Sequence, residues 1–138
     1  MIVLDTNVLS ELMRPTPSES VQLWLSHATT ETLVTTVITA AEIEYGIARL
    51  PDGRRRADLA ERFEALIGPD FGFTVLPCDE PAARLAGHLR YQREAQGLSA
   101  QFADMITAGI AAQAGAAVAT RNGADFNGIG VEIINPWD

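Results

Sequence analysis

Residues Ile2 to Ser10 read IVLDTNVLS, and this stretch sets the architecture of the chain. Met1 to Leu4 is a short, unbroken apolar run, which suits a central parallel strand covered on both faces better than an alternating edge strand. Asp5, Thr6 and Asn7 then break the run. Each can cap a helix by accepting a hydrogen bond from a free backbone N–H, and Val8, Leu9 and Leu12 supply an apolar stripe behind them. The stretch predicts a strand passing directly into a helix, with a carboxylate where the two meet. In open α/β sheets the ligand crevice lies beyond the carboxyl ends of the strands, which is where Asp5 falls. Taken alone, Asp5 reads more readily as an N-cap than as a chemical group, because caps outnumber active sites.

Onward from Ser10, strands and helices alternate. Pro15 and Pro17 stop the first helix, and a second begins near Ser18 with Val21, Leu23, Trp24 and Leu25 as its apolar face. Thr32 to Thr36 reads as a strand, with Leu33, Val34 and Val37 in a buried, pleated setting. In the next segment, TAAEIEYGIARL from Thr39, Ile43, Ile47 and Leu50 recur at helical spacing. Arg54 to Ile67 is a further helix, with Leu59, Phe63, Leu66 and Ile67 inward and GPDFG closing it, and Phe73 to Leu76 a short strand. Asp79 caps a long helix with Leu85, Leu89 and Tyr91 on its buried face, ended by Gly97. Ser99 then caps AQFADMITAGIAAQAG, so rich in small residues that it must pack closely on a neighbour. The strand AAVAT, a polar loop from Thr120 to Gly130, and the strand VEII complete the series. The expectation is a three-layer α/β domain spanning 1–138, with a parallel sheet of four to five strands and helices on both faces.

At 138 residues, with 47% hydrophobic and 20% charged, the composition is that of one globular domain. No apolar run reaches the length of a membrane span and no secretory leader pattern opens the chain, so the expected location is the cytoplasm, with no membrane partner. Cys78 is the sole cysteine, expected as a small buried apolar residue and unable to form an internal disulfide. The net charge is −8, and all ten basic residues are arginines. The absence of lysine removes P-loop phosphate binding and Schiff-base catalysis. The acidic balance argues against a broad basic face for duplex nucleic acid, so any such contact must be local. Arg54, Arg55 and Arg56 are the candidate, with a solvated helix start as the equal alternative.

Four acids fall at positions that the wound sheet can bring together: Asp5, Glu42, Asp104 and Asp125. Each has a structural alternative. Thr39 and Glu42 form an S/T-x-x-E capping box, Asp104 is able to face solvent, and Asp125 suits a turn beside Gly123. Jointly these alternatives are weaker, since all four map to one sheet edge and three of the four local stretches carry no basic partner. At roughly 4 Å, like charges cost on the order of 4 kcal/mol at an effective dielectric near 20. A hard divalent cation offsets such repulsion, and Mg2+ or Mn2+ takes oxygen ligands of this kind. His27 and His88 lack the spacing of a zinc set. Phosphodiester hydrolysis is the natural chemistry of such a site.

Taken together, IVLDTNVLSEL, VITAAEIEYGI, ADMITAGIA, VATRNGADF and VEIINPWD closely resemble the PIN-domain ribonucleases, specifically the VapC and FitB toxins of bacterial toxin–antitoxin pairs. The similarity runs over essentially the whole chain. It implies a PIN-like fold and a Mg2+- or Mn2+-dependent endoribonuclease, with Asp5 and Asp104 as central metal ligands and Glu42 completing the set. It also implies that Thr6 or Asn7 steadies Asp5 and that Thr120 hydrogen-bonds the site or the scissile phosphate. Some members carry an aspartate directly after the TR pair, where this chain has Asn122; others carry an acid three residues later, as Asp125 does here. Asn122 offers a carbonyl oxygen without charge. An RNA substrate, a homodimer, and an antitoxin that wraps the toxin and places a basic residue in the acidic pocket are further implications. Two alternatives stand beside this reading. A PIN-like scaffold that binds RNA or protein without cutting is favoured only by Asn122. A haloacid-dehalogenase-like phosphatase wants an acid where Asn7 stands, and a lysine.

Overall fold

The Ile2–Leu4 run is the central strand, β1, of a five-stranded sheet in which every pairing is parallel. The computed structural model describes residues 1–68 and 72–138. The remaining strands are β2 (Leu33–Thr36), β3 (Thr74–Leu76), β4 (Ala117–Ala119) and β5 (Ile133–Ile134), and the sheet order is β3-β2-β1-β4-β5. Ile2 pairs with Leu33 on one side and with Ala117 on the other. The chain therefore winds outward from β1 through β2 to β3, then returns to the other side of β1 for β4 and β5. The winding direction switches between β1 and β4, the position at which open α/β sheets form a crevice.

The six α-helices are α1 (Thr6–Leu12), α2 (Glu19–His27), α3 (Val37–Ala48), α4 (Arg54–Ile67), α5 (Glu80–Ala95) and α6 (Phe102–Ala114). Successive β1 side chains point to opposite faces. Ile2 and Leu4 join Val8, Leu9, Met13, Ile43, Ile47 and Phe63 in a core under α1, α3 and α4. Val3 joins Leu89, Met105, Ala108, Ala111, Val118 and Phe126 under α5 and α6. Burial on both faces is why the first strand reads as a continuous apolar run.

The predicted close packing of the small-residue helix is present. A Cβ on Gly109 of α6 meets the Ala82 carbonyl oxygen and comes within 2.9 Å of the Ala86 Cβ, so α5 and α6 approach backbone to backbone. Gly115 (φ 65°) then ends α6 in the left-handed conformation, with Ala116 N–H donating to the Ala111 carbonyl.

Several local expectations are corrected. Thr39 and Glu42 do not form a capping box: Thr36 is the N-cap of α3 and accepts from Thr39 N–H, so Thr39 lies inside the helix and Val37 is its first residue, 38% exposed, rather than part of a strand. Ser99 does not cap α6, which starts at Phe102 behind Gln101 with no side-chain cap. Tyr91 (73% exposed) and Leu23 (52%) point outward. The buried stripe of α5 is Ala82, Ala86, Leu89 and Arg93, and of the apolar residues expected along α2 only Val21 is fully buried. Cys78 is half-buried just past β3. The Asp79 cap is as expected, accepting from Ala82 N–H at 3.0 Å. Of the GPDFG segment expected to close α4, residues 69–71 lie outside the described residues.

Candidate active site

Asp5 ends β1 beside the switch point and is 7% exposed. It occupies the N-cap position of α1 but makes no capping hydrogen bond. Its carboxylate instead accepts from the Thr120 hydroxyl, at the end of β4, at 2.9 Å. That hydroxyl also accepts from Asn7 Nδ2 and from Asn122 N–H, each at 3.1 Å. A hydroxyl has one proton and two acceptor lone pairs. With both acceptor positions taken, its proton is directed at Asp5 Oδ2. Asn7 is fixed in turn, because its Oδ1 accepts from Arg121 N–H at 3.0 Å. The seam between β1 and β4 is thus closed by side chains beyond the last ladder bond, and they orient one buried carboxylate.

The other three acids reach the same crevice from separate elements. Glu42, on the exposed side of α3, accepts from Thr6 Oγ1 at 2.7 Å, and Thr39 Oγ1 lies 3.1 Å from the same Thr6 oxygen. Asp104 lies half-buried in the first turn of α6, where the helix N-terminus favours negative charge. Asp125 is exposed in a 3-10 turn, Gly123–Phe126. Burial raises the Asp5 pKa; the Thr6 backbone and the Thr120 hydroxyl oppose this, and the Glu42 and Asp125 charges add to it. Burial also pushes Asp104 up to about 6, reinforced by Asp5, Asp125 and Glu42 and opposed by Arg93. The four predicted acids therefore form one electrostatic unit. None of the four has a salt-bridge partner among the described residues.

Their donor chemistry, carboxylate oxygens only, fits a hard divalent cation rather than zinc or copper. Among the described residues no three acids, histidines or cysteines already converge as a ready-made cage. Glu42 Oε1 is held by Thr6, which leaves Oε2 without a side-chain partner among the described residues. His27 and His88 are both exposed, on α2 and α5.

A groove leads away from the acids between α1, α3 and α4. A cavity of about 290 Å3 is lined by Thr6, Glu42, Ile47 and Arg55 among others. A second, of about 570 Å3, shares Ser10, Met13, Arg14, Arg55 and Leu59 with the first and adds Arg54 and Arg62. Arg54 and Arg55 thus face the groove. Arg56 does not: it pairs with Asp52 at 2.6 Å and lines a different depression.

Residue-by-residue reading missed Arg93, which is 3% exposed and sits behind Asp104 and Asp125. The signal was its place in the 82–86–89–93 stripe, at helical spacing. It also missed the Arg121 guanidinium, 4.8 Å from the centroid of the Trp137 ring, a cation–π contact between the residue after Thr120 and the end of the chain.

The PIN domain model matches residues 2–131. The chain is 40% identical over 138 residues to a VapC ribonuclease of Sinorhizobium fredii, covering 100% of this chain and 99% of that protein. It is 39% identical to the toxin FitB of Neisseria gonorrhoeae over 99% of both chains. A solved structure of FitAB bound to a DNA fragment superposes with a TM-score of 0.90 at 39% identity, covering 100% of this chain and 96% of that one. Sequence and fold agree with these relatives over the full length, and the chain belongs to the PIN-domain family, among its VapC and FitB members.

Proposed function

We propose that this chain is a metal-dependent endoribonuclease, the toxin of a toxin–antitoxin pair, hydrolysing RNA phosphodiester bonds at the Asp5–Glu42–Asp104–Asp125 crevice. The observation that carries this is the buried Asp5 carboxylate, committed by Thr120 to one orientation at the sheet's switch point, with the Glu42 and Asp125 charges opposing its ionisation and its own charge opposing that of Asp104. Asp5 and Asp104 hold the cation, Glu42 completes the set, and Asp125 adds negative charge at the rim. Mg2+ or Mn2+ suits these oxygens, and when bound it supplies the charge that makes water a nucleophile at neutral pH and stabilises in-line phosphoryl transfer. Thr120 and Asn7 keep Asp5 in register, so that its oxygen does not rotate out of the crevice. Asn122 donates to Thr120 through its backbone, which leaves its side-chain carbonyl available to substrate. Arg54 and Arg55 line the path along which the RNA backbone leaves the acids.

Because a 26% identical relative is solved as a member of the VapBC family of toxin–antitoxin systems, we also propose an antitoxin partner, one of whose basic side chains neutralises the crevice. Phe102 (69% exposed), Tyr91 (73%) and Leu98 (38%) suit a homodimer formed on the α5–α6 side. The deciding experiment is cleavage of a single-stranded RNA by purified chain in Mn2+ or Mg2+. Wild type is expected to yield fragments with 5′ phosphates. Asp5→Asn is expected to lose more than about 100-fold in rate, beyond what removal of an outer partner of a metal ligand costs. Undiminished cleavage by Asp5→Asn overturns the reading.

A further inference from the structure

Among the described residues Arg93 is the one buried arginine, and it makes no salt bridge there. Its partners are backbone carbonyls. Nε donates to Ser99 O at 2.8 Å, and Nη1 to Ala124 O at 3.2 Å and Asn127 O at 2.7 Å. Ser99 lies in the connection leading into α6 and therefore to Asp104. Ala124 and Asn127 bracket Asp125. One guanidinium thus holds the two segments that carry two of the four acids. Gln96, one turn further on, reinforces the second segment by donating to Gly128 O at 2.7 Å. Among the described residues neither acid-bearing segment has a side-chain cap at its start, so α6 and the 3-10 turn are tied to each other at this end through the Arg93 guanidinium.

We infer that Arg93 is a positioning residue for the acidic site, a clamp whose planar fork sets Asp104 and Asp125 at the spacing the cation requires. This rests on the proposed metal-binding role of those acids. A lysine cannot substitute, because the three carbonyls are reached from two nitrogens of a rigid plane, whereas an ammonium is a single point on a flexible stem. The clamp also carries a positive charge beside a site for a cation, and that gives the test its sign. If Arg93 acted only through its charge, removing it would strengthen divalent binding. If it only supported the fold, its loss would lower stability and leave affinity in the folded protein unchanged. If it positions the acids, affinity falls even though a repelling charge has gone.

The experiment is calorimetric titration of Mn2+ alone into the full chain, as wild type, Arg93→Gln, Arg93→Lys and Gln96→Ala, with circular dichroism to measure the folded fraction. The expected result is an affinity loss of about 10–100-fold in Arg93→Gln, the range found when outer partners of metal ligands are removed. Arg93→Lys, which keeps the charge, loses affinity too. Gln96→Ala, an exposed change that leaves the core intact, shows a smaller loss in the same direction and keeps the test open should either Arg93 variant fail to fold. Affinity in the folded variants equal to or above that of wild type overturns the inference alone. A wild-type chain that takes up no Mn2+ overturns the metal reading, and the inference with it.

Discussion

Asp104 bears most directly the strain of four acids sharing one crevice. Burial and the Asp5, Asp125 and Glu42 charges hold its pKa at about 6, against 3.8 for an ordinary aspartate. Between those values the folded state binds more protons than the unfolded chain, so stability falls as pH rises from about 4 to 6 and is level above. The shift of Asp5 has the same sign. Through these two groups, metal-free protein is therefore expected to melt at higher temperature near pH 4.5 than near pH 7. Asp104→Asn is expected to raise stability at pH 7 by about 1 kcal/mol, after discounting for solvent around a half-exposed group, and to flatten the slope. On the proposed metal role, saturating Mn2+ reverses that slope in wild type, because a cation bound by these carboxylates favours their ionised form. Thermal melts across pH, with and without metal, check all three; a large loss of stability in Asp104→Asn would mean that its carboxylate is structurally paired. The acids themselves were legible in the sequence, since each stands where a strand ends or a helix begins. Thr120 is named through the family resemblance alone; local sequence could not show its three bonds, because Asp5 and Asn7 lie 115 and 113 residues away and meet it only when β1 and β4 pair.

At the level of elements, apolar patterning located the five strands and six α-helices of the described residues but not the 3-10 turn Gly123–Phe126, which read as polar loop, while the signals for element starts and exposed faces were less dependable. Ser99 and Thr39 carry the right chemistry for caps, yet the chain begins α6 three residues after Ser99 and α3 two residues before Thr39. In α3 the cap comes from the last residue of β2, Thr36, so the strand passes into the helix with no loop between them. Local propensity cannot foresee that junction. The α5–α6 pair was readable in outline from the small residues of α6, though which glycine lets the backbones meet depends on the helix rotation. Gly109 faces the Ala82 carbonyl and the Ala86 backbone, neither of which can give way as a flexible side-chain tip would. Gly109→Ala is expected to destabilise the chain by about 1–3 kcal/mol despite its better helix propensity, as overpacking does. A urea midpoint equal to or above wild type would show that the two helices separate without penalty. Because α6 carries Asp104, the same change is a means of moving that carboxylate without altering its charge.

Across the whole molecule, a net charge of −8 is at odds with the polyanionic substrate proposed above unless cations are concentrated along one route. The fold supplies such a route by bringing Arg54, Arg55 and Arg62 of α4 beside Arg14, which pairs with Glu11, in a groove that also holds Asp58 and is continuous with Glu42 and Thr6. The run Arg54 to Arg56 was visible in the sequence, but helical rotation divides it. Arg54 and Arg55 line the groove, while Arg56 turns to Asp52. Single-stranded RNA releases about 0.7 counterion per phosphate neutralised, so two arginines on two phosphates contribute about 1.4 to the slope of log affinity against log salt. In an Asp5→Asn background that prevents cleavage, Arg54→Ala with Arg55→Ala is therefore expected to weaken binding of a single-stranded RNA and flatten its salt slope by about that amount. Arg56→Ala should leave both unchanged. Equal losses from all three arginines would mean that the RNA senses only the general field of α4. No change from the double variant would place the RNA on another face of the molecule, with the stacked Arg121 and Trp137 beside Thr120 as the next residues to substitute.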